Sequence, residues 1–423
     1  MIKSLNFTYI KSNISYVFLI LCYLKFFFLF SLPWTFGVKV NQILPMLFVD
    51  VYFVANIFKH NTLGLRDDFF SKWMLFFYIF LAIECVYTSI VYPREPIINA
   101  FKETAIYTSF LSYYIFVECA KRNLKKFIKF LVNCCTIVAS LLILQALMFK
   151  FFGIYFLQIY GFNYGEISHV YRDDNIRLMG PDLITFVGIL SIGLYFQKEN
   201  SNYEKKIFLI NILSTFVYLL TAEITRSSQI GLIIILFFTF SLEKEGRFKI
   251  FILAILLLVF FSTYVIDYIM KSYLLITEQT DYSIYHRLET YEYYAKSSFF
   301  DRIPLGIGLL KDQPEISSYL YIEHGEYGKY CYSDVGLVGT MGRFGIVGGI
   351  FYMAIIIKCY KVYKKSKSSN SNAVPVNFAI ICLILFSLVN LSVFDAERIM
   401  ILPIVMAISR VYNENIINER SYA

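Results

Sequence analysis

The feature that most constrains the fold of this chain is a series of apolar runs, each of about 18 residues or more, that recur from one end to the other. A helix of that length crosses a hydrocarbon layer about 30 Å thick. Hydrophobic residues make up 58% of the 423 residues, which is more apolar surface than a soluble domain of this size buries. The sequence therefore predicts an all-α integral membrane protein.

The apolar runs predict about twelve transmembrane helices. Their approximate bounds are residues 14–33, 40–58, 73–92, 100–119, 127–150, 178–197, 206–222, 227–242, 250–270, 335–357, 374–394 and 398–412. Lys3 and Lys11 precede the first run, as they would in a secretory signal. That run is too long for a signal and lacks a small-residue cleavage site, so we expect a retained membrane helix.

Lysine and arginine are unevenly divided between alternate loops. One set of loops carries three to five of them each: Lys59, Arg66 and Lys72; Lys121, Arg122, Lys125 and Lys126; Lys198, Lys205 and Lys206; Lys244, Arg247 and Lys249; Lys358, Lys361, Lys364, Lys365 and Lys367. The opposite short loops carry one or two. Because positive residues accumulate in cytoplasmic loops, the first set and both termini are predicted to be cytoplasmic.

This topology divides the chain into three parts. Residues 1–270 would hold the first nine helices, residues 271–334 one large extracytoplasmic loop before the tenth helix, and residues 335–423 the last three helices with a cytoplasmic tail. A loop longer than about 15 residues seldom serves only as a connector. We therefore expect the large loop to contribute to function.

Composition excludes several classes of function. Seven of the eight cysteines lie in or beside apolar runs and only Cys331 falls in a loop, so no disulfide framework is expected. No CxxC or His/Cys spacing indicates a metal site. The net charge of +8 follows from the loop lysines and does not indicate a nucleic-acid partner.

A dense glycine run, "VGLVGTMGRFGIVGG", begins where the large loop ends and continues into an apolar segment. It lacks the GxxxxGK[ST] spacing of a phosphate-binding loop and the proline of a collagen repeat. On a helix, the pair Gly345 and Gly349 would let a neighbouring backbone approach closely. We therefore expect a closely packed membrane helix, with Ser333 or Asp334 able to cap its first turn.

Two stretches near the large loop, "HRLETYEYYAKSSFFDRIPLGIGL" and "SDVGLVGTMGRFGIVGGIFYM", resemble the bacterial O-antigen polymerase and O-antigen ligase superfamily. The residues that carry the resemblance are Arg287, Pro304, Gly306, Gly308, Asp334, Gly345, Ile346 and Gly348. Two further stretches are similar more loosely: "NIRLMGPDLITFVGILSIGL", with Arg177, and "TRSSQIGLIIILFF", with Arg226. The resemblance covers residues 170–350 or thereabouts.

The resemblance implies a glycosyltransferase of the bacterial cytoplasmic (inner) membrane. A polymerase of this kind joins undecaprenyl-pyrophosphate-linked oligosaccharide repeat units into O-antigen or another surface polysaccharide at the outer membrane face. The implied partners are these lipid-linked oligosaccharides, membrane lipid and a chain-length regulator, with no nucleic acid. No cofactor and no metal are implied.

One departure from the superfamily bears on the choice of activity. Its ligases carry a histidine near the start of the helix after the large loop, where this chain has Asp334, with His324 ten residues earlier. The departure favours the polymerase over an O-antigen ligase. A flippase or transporter of lipid-linked oligosaccharide is the alternative from another class, although no internal repeat is visible.

Four arginines, Arg177, Arg226, Arg287 and Arg302, are predicted to lie on the outer side, where the positive-inside bias disfavours them. The planar guanidinium group binds phosphate oxygens in pairs and stays protonated, so arginine suits a pyrophosphate leaving group. The alternative is that each arginine anchors a helix end or pairs with a carboxylate such as Glu289.

Transfer to a sugar hydroxyl also needs a proton acceptor. Asp334 is the first candidate by position, with helix capping as its alternative role, and His286 and His324 are further candidates. Asp182, just after Pro181, would line a polar cavity, because carboxylates within a membrane tend to face the protein interior.

The large loop is rich in tyrosine, whose ring can stack on a sugar while its hydroxyl group forms hydrogen bonds. Leu288, Tyr291, Tyr294 and Ala295 recur at helical spacing. We expect this segment to be a helix lying along the membrane surface, with Tyr291 and Tyr294 among the substrate-binding residues. Tyrosine is also common at membrane interfaces in general.

Overall fold

The computed structural model describes residues 15–26, 43–60, 68–94, 96–154, 156–157, 171–172, 175–176, 178, 180–224, 226–241, 282–296, 304–310, 324–325, 328–330, 332–389, 392–395 and 398–421. Within these ranges the chain is almost entirely helical. The apolar run 250–270 and most of the large loop lie outside the described ranges, so the helix expected there stays a prediction.

The helices are numbered here in chain order. They are α1 (15–23), α2 (Leu44–His60), α3 (Phe69–Val91), α4 (Ile97–Thr104), α5 (Ser112–Arg122), α6 (Leu124–Phe152), α7 (Leu183–Tyr195), α8 (Asn202–Tyr218), α9 (Arg226–Ser241), α10 (Tyr282–Lys296), α11 (Gly336–Ser368), α12 (Val374–Val389) and α13 (Ile401–Ser421). Two antiparallel pairs of very short strands complete the described part: Tyr171–Arg172 with Asn175–Ile176, and His324–Gly325 with Gly328–Lys329.

Four helical segments of the described part are long and apolar enough to cross a membrane: Phe69–Val91, Leu124–Phe152, Asn202–Glu223 and Tyr332–Ser368. Shorter apolar helices accompany them, such as α7 with 13 residues. At 1.5 Å per residue α7 is about 20 Å long, which is less than a hydrocarbon layer of about 30 Å.

The surface of the long helices is apolar where a soluble protein would be polar. On α3, Phe76, Ile79, Ile83 and Ile90 each expose between 49% and 71% of their surface. Exposed apolar side chains at this density are unfavourable in water and suit a hydrocarbon surrounding. This pattern agrees with the membrane location expected from the sequence.

The run 100–119, expected as one helix, is divided. Helix α4 ends at Thr104, a 3₁₀ segment covers Ala105–Leu111, and α5 follows. Side-chain hydroxyl groups bond to carbonyls three residues earlier on this stretch, from Thr104 to Phe101 and from Thr108 to Ala105. Such local bonds compete with regular helical ones, which explains the tighter turn.

Aromatic rings fill the interior between α3, the 3₁₀ segment and α11. Phe77 lies 5.2 Å from Phe351 and 5.5 Å from Phe110, measured between ring centroids. Trp73 stacks on Phe77 and donates a hydrogen bond from Nε1 to the carbonyl of Phe351 at 3.0 Å. This packing fixes α3 against α11, on which the candidate site is built.

Polar contacts gather at the two ends of the bundle. At one end Lys121 pairs with Glu414 and Lys129 with Glu204, both at 2.7 Å. Lys121 belongs to a loop predicted to be cytoplasmic, and Lys129 lies near the start of the helix predicted to follow that loop. The helix ends that were predicted to be extracytoplasmic lie together at the other end of the bundle, where the candidate site is described below. The orientation of the bundle across the membrane stays a prediction.

That orientation can be tested by adding one cysteine at a time to a variant in which all eight native cysteines are replaced by alanine. Lys296 and Lys367 are both exposed, and the topology predicts that the first is extracytoplasmic and the second cytoplasmic. We expect a membrane-impermeant maleimide to label Lys296→Cys in intact spheroplasts and Lys367→Cys only after lysis. The reverse pattern would invert the topology.

Candidate functional site at the glycine-run helix

The glycine run does not form the continuous helix that its spacing predicted. Within α11, Gly345 has φ +64° and ψ −166°, which breaks the helix. This backbone region is open essentially to glycine alone. The prediction of a helix was right for the rest of the run, and the break is a correction to it.

The Pro304-x-Gly306-x-Gly308 turn fits into this break. The backbone N–H of Ile307 donates to the carbonyl of Gly342, and that of Gly308 donates to the carbonyl of Arg343, both at 2.9 Å. In an unbroken helix these two carbonyls would accept from residues four positions further on. The turn therefore replaces the hydrogen bonds that the break removes.

Close backbone approach explains the glycines at this contact. A Cβ atom on Gly345 would overlap the carbonyl oxygen of Pro304, and one on Gly306 would lie 2.5 Å from the backbone nitrogen of Gly345. The sequence predicted that a neighbouring backbone would approach the Gly345 and Gly349 pair closely. The structure places the backbone of the turn against Gly345, whereas the atoms nearest to an added Cβ on Gly349 belong to the side chain of Met341.

The same turn is attached to α3. The hydroxyl group of Tyr87 donates to the carbonyl of Gly306 at 3.0 Å. The N–H of Leu309 donates to Oγ1 of Thr88 at 2.9 Å. The turn thus ties α3 to the broken part of α11, and it covers the side of α3 that carries Thr88.

Arg343 lies at this junction and has only 15% of its side chain exposed. Its guanidinium group pairs with Glu103 at 3.3 Å and lies 4.6 Å from the centre of the Tyr332 ring. Tyr332 is hydrogen-bonded to the side chain of Tyr107. Arg343 was not among the predicted site residues, although an arginine within a glycine run and beside an apolar segment can indicate a functional site.

A second arginine joins the ends of three segments nearby. Arg398 pairs with Asp182 at 2.9 Å and with Asp395 at 3.0 Å. Asp395 interacts electrostatically with Tyr107 and Tyr332, the residues that surround Arg343. Asp182 therefore belongs to an ion-pair network, and the polar cavity expected around it stays a prediction.

These residues form what is called here the polar cluster, consisting of Glu103, Asp182, Arg343, Asp395 and Arg398. It contains three carboxylates and two arginines, which gives a formal charge of −1. Such a set offers hydrogen-bond acceptors to hydroxyl groups and offers little excess positive charge to an anion.

A buried carboxylate on α3 interacts with one member of the polar cluster. Glu84 on α3 is 0% exposed, and neither of its carboxylate oxygens has a hydrogen-bond partner among the described residues. The hydroxyl group of Thr88, one turn away, donates to the backbone carbonyl of Glu84. Arg343 is the charged group with which Glu84 interacts. The sequence signal was present, since Glu84 is the one acidic residue of the run 73–92.

The expected helix of the large loop is confirmed as α10, although it begins at Tyr282 and ends at Lys296. It packs against α11 and the 3₁₀ turn Tyr332–Val335. Tyr294 is 3% exposed, whereas Leu288, expected on the same face, is 59% exposed. The buried face is therefore narrower than the spacing predicted.

Three of the selected residues on α10 are half-buried: His286, Arg287 and Tyr291. The ring of Tyr330 stacks between His286, at 6.0 Å, and Tyr293, at 4.9 Å. Burial raises the pKa of the Tyr291 hydroxyl, and nearby Arg287 opposes that rise. Arg287 forms no ion pair with a described residue.

Asp334 is half-buried in the 3₁₀ turn that precedes α11. The N-cap residue of α11 is Val335, and no side chain caps this end. Neither Ser333 nor Asp334 therefore has the capping role given as an alternative. The part of Asp334 in proton transfer stays a prediction.

The remaining selected residues cannot be placed in the site. Arg177 and Arg302 lie outside the described ranges. Arg226 begins α9 and His324 begins a short strand, but their side chains are not described. The expected cluster of four arginines thus stays a prediction. Among the described residues, no group of three or more His, Cys, Asp or Glu side chains is arranged to hold a metal ion.

Comparison with models of known protein families finds no match to this chain, and comparison with curated proteins finds no significant match either.

Proposed function

We propose that the chain is a polymerase of undecaprenyl-pyrophosphate-linked oligosaccharide repeat units in the bacterial cytoplasmic membrane. In this reaction a hydroxyl oxygen of the acceptor sugar attacks the anomeric carbon of the donor glycan. The bond from that carbon to the pyrophosphate oxygen breaks, and its electron pair leaves with undecaprenyl pyrophosphate. The proton of the acceptor hydroxyl passes to a base.

The observation that carries the proposal is the docking of the Pro304–Leu310 turn on the broken helix α11. The two stretches that carry the family resemblance are separated in sequence, yet they form one hydrogen-bonded unit through Gly342 and Arg343. The fit depends on glycine at positions 306 and 345, where a Cβ atom would overlap the opposing backbone. Its agreement with the motif pattern supports the resemblance and hence the activity it implies.

The distribution of charge also supports separate binding of the sugar and of the pyrophosphate within the site. The polar cluster has a formal charge of −1 and suits sugar hydroxyl groups. The donor pyrophosphate instead needs a cation that is free of carboxylates, and Arg287 on α10 has no carboxylate partner among the described residues. Tyr291, beside it, offers an aromatic face and a hydroxyl group to the glycan.

Deleting the coding gene in the host and separating its surface polysaccharide on a gel tests the function. We expect lipid-A core carrying a single repeat unit in place of a ladder. Bare core would favour the ligase or the flippase instead, and an unchanged ladder would contradict all three activities.

Arg287 should be required for efficient polymerisation. We expect Arg287→Ala to slow chain growth by about thirtyfold, which corresponds to about 2 kcal/mol of lost transition-state stabilisation. Arg287→Lys should fall between that variant and wild type, because lysine keeps the charge and loses the paired geometry. The measurement is the length distribution of surface glycan at matched protein levels.

Lys296→Ala is the matched control, since Lys296 is exposed on the same helix and pairs with Glu292 of that helix. We expect full-length ladders from this variant. Full-length ladders from Arg287→Ala would show instead that Arg287 only anchors the helix.

A further inference from the structure

Glu84 is the one buried acidic side chain of the described part for which both carboxylate oxygens lack a hydrogen-bond partner. An unpaired buried carboxylate is unfavourable by several kcal/mol. It persists in folded proteins mainly where it serves a function, so its surroundings indicate what that function is.

The surroundings of Glu84 come from three elements. The hydroxyl group of Thr88, one turn along α3, donates to the backbone carbonyl of Glu84 and accepts from the N–H of Leu309. The covering turn, "PLGIGLL" over residues 304–310, contains no titratable side chain. Arg343 approaches from α11, and the other titratable group in contact is the neighbouring thiol of Cys85.

The hydrogen bonds of Arg343 help to decide whether Glu84 has a structural or a chemical role. A purely structural ion pair would use the oxygens of Glu84 in hydrogen bonds to the guanidinium group, but the Arg343 hydrogen bond and close ion pair go to Glu103. Glu84 thus remains near a fixed positive charge with both oxygens unused. That arrangement suits a group that takes up a proton and releases it again.

We propose that Glu84 is the proton acceptor of the polymerisation reaction, with Arg343 as the positioning residue beside it. This inference rests on the proposed function. The acceptor hydroxyl is bound by the carboxylates of the polar cluster, and its proton passes to a carboxylate oxygen of Glu84 as the new glycosidic bond forms. The Pro304–Leu310 turn lies against Thr88, one helical turn from Glu84, and must shift to admit the hydroxyl group. Glu84 returns the proton to solvent before the next cycle.

The test uses the full-length chain in proteoliposomes, supplied with the lipid-linked repeat that accumulates in the deletion strain. Polymer formation is followed between about pH 5 and about pH 8. We expect the wild-type rate to fall as the pH is lowered, because protonated Glu84 cannot accept a proton. Glu84→Gln should be at least about a hundredfold slower and should lose this pH dependence. Glu84→Asp should recover part of the rate.

Two controls separate chemistry from folding. Glu118→Gln changes a carboxylate at the opposite end of the bundle, where it pairs with Arg122 and accepts from Tyr52, and it should polymerise at the wild-type rate. Binding of the lipid-linked repeat, measured as a thermal shift, should be the same for Glu84→Gln and wild type. Loss of that shift would assign Glu84 a structural role and overturn the inference.

The outcomes also separate this inference from the proposed function. Polymer from wild type together with an active, pH-dependent Glu84→Gln would overturn the role of Glu84 and leave the polymerase standing. The absence of polymer from wild type under all conditions would overturn both.

Discussion

Replacing Gly345 by alanine should destabilise the protein by about 3 kcal/mol or more. Its backbone, at φ +64° and ψ −166°, lies in a region that L-residues occupy at a penalty of about 1–3 kcal/mol. The added Cβ would also overlap the carbonyl oxygen of Pro304, and crowding in a packed interior costs a further 1–3 kcal/mol or so. We expect a drop in the melting temperature of the purified protein of several degrees.

Gly349→Ala is the control for this substitution. Gly349 lies four residues further along the same helix, and its added Cβ would meet only the flexible side chain of Met341. We expect its melting temperature to fall by less than that of Gly345→Ala, because Gly349 is buried but has no positive φ, and a side chain can shift where a backbone carbonyl cannot. Equal melting of the two variants would show that the break at Gly345 does not hold the turn.

Much of the helical architecture follows from the sequence. Runs of apolar residues predict helices because a membrane-embedded backbone must satisfy its own hydrogen bonds. Each predicted run that falls in the described ranges contains helix, although the run 100–119 is divided into two helices and a 3₁₀ segment. Boundaries followed local chemistry instead of hydropathy. Helix α7 begins after Pro181, for example, because proline disfavours a helical conformation in the residue before it.

The departures from regular helix were harder to predict. Glycines at three-residue spacing are compatible with a packed helix and with a broken one, and only the turn that arrives from residues 304–308 selects the break at Gly345. Likewise, the run 100–119 is apolar throughout, and its 3₁₀ segment depends on which hydroxyl groups bond to the backbone. Both outcomes depend on contacts that hydropathy does not encode.

The candidate site, like the fold, could be predicted from the sequence only in part. Asp182, which reaches Arg398, was selected as a carboxylate within the membrane. Motif comparison selected the Pro304–Gly308 turn and Gly345, which do meet. It passed over Glu84 and Arg343, because each is a single charge within an apolar segment and matches no motif. A search for lone charges in apolar runs would have found both residues, but only the folded structure shows that they interact.

Replacing Arg343 by methionine should be among the most destabilising changes in this part of the protein. Methionine fits the length of the side chain but removes the only cation that faces Glu103 and Glu84 among the described residues. Breaking a largely buried ion pair by removing one partner leaves an uncompensated charge, which costs about 3–5 kcal/mol. Arg343→Lys should lose less, since it keeps the charge and gives up the stacking on Tyr332.

The measurement is thermal unfolding of the purified protein in detergent, with Lys121→Met as the matched control. Lys121 pairs with Glu414 at 2.7 Å, but its side chain is 36% exposed, and such surface pairs contribute about 1 kcal/mol or less. Adding Glu103→Gln to Arg343→Met should restore part of the lost stability, because it removes the carboxylate charge that Arg343 pairs with. If Arg343→Met melted as Lys121→Met does, the guanidinium group would be hydrated rather than held between carboxylates. The positioning of Glu84 by Arg343 would then have no physical basis.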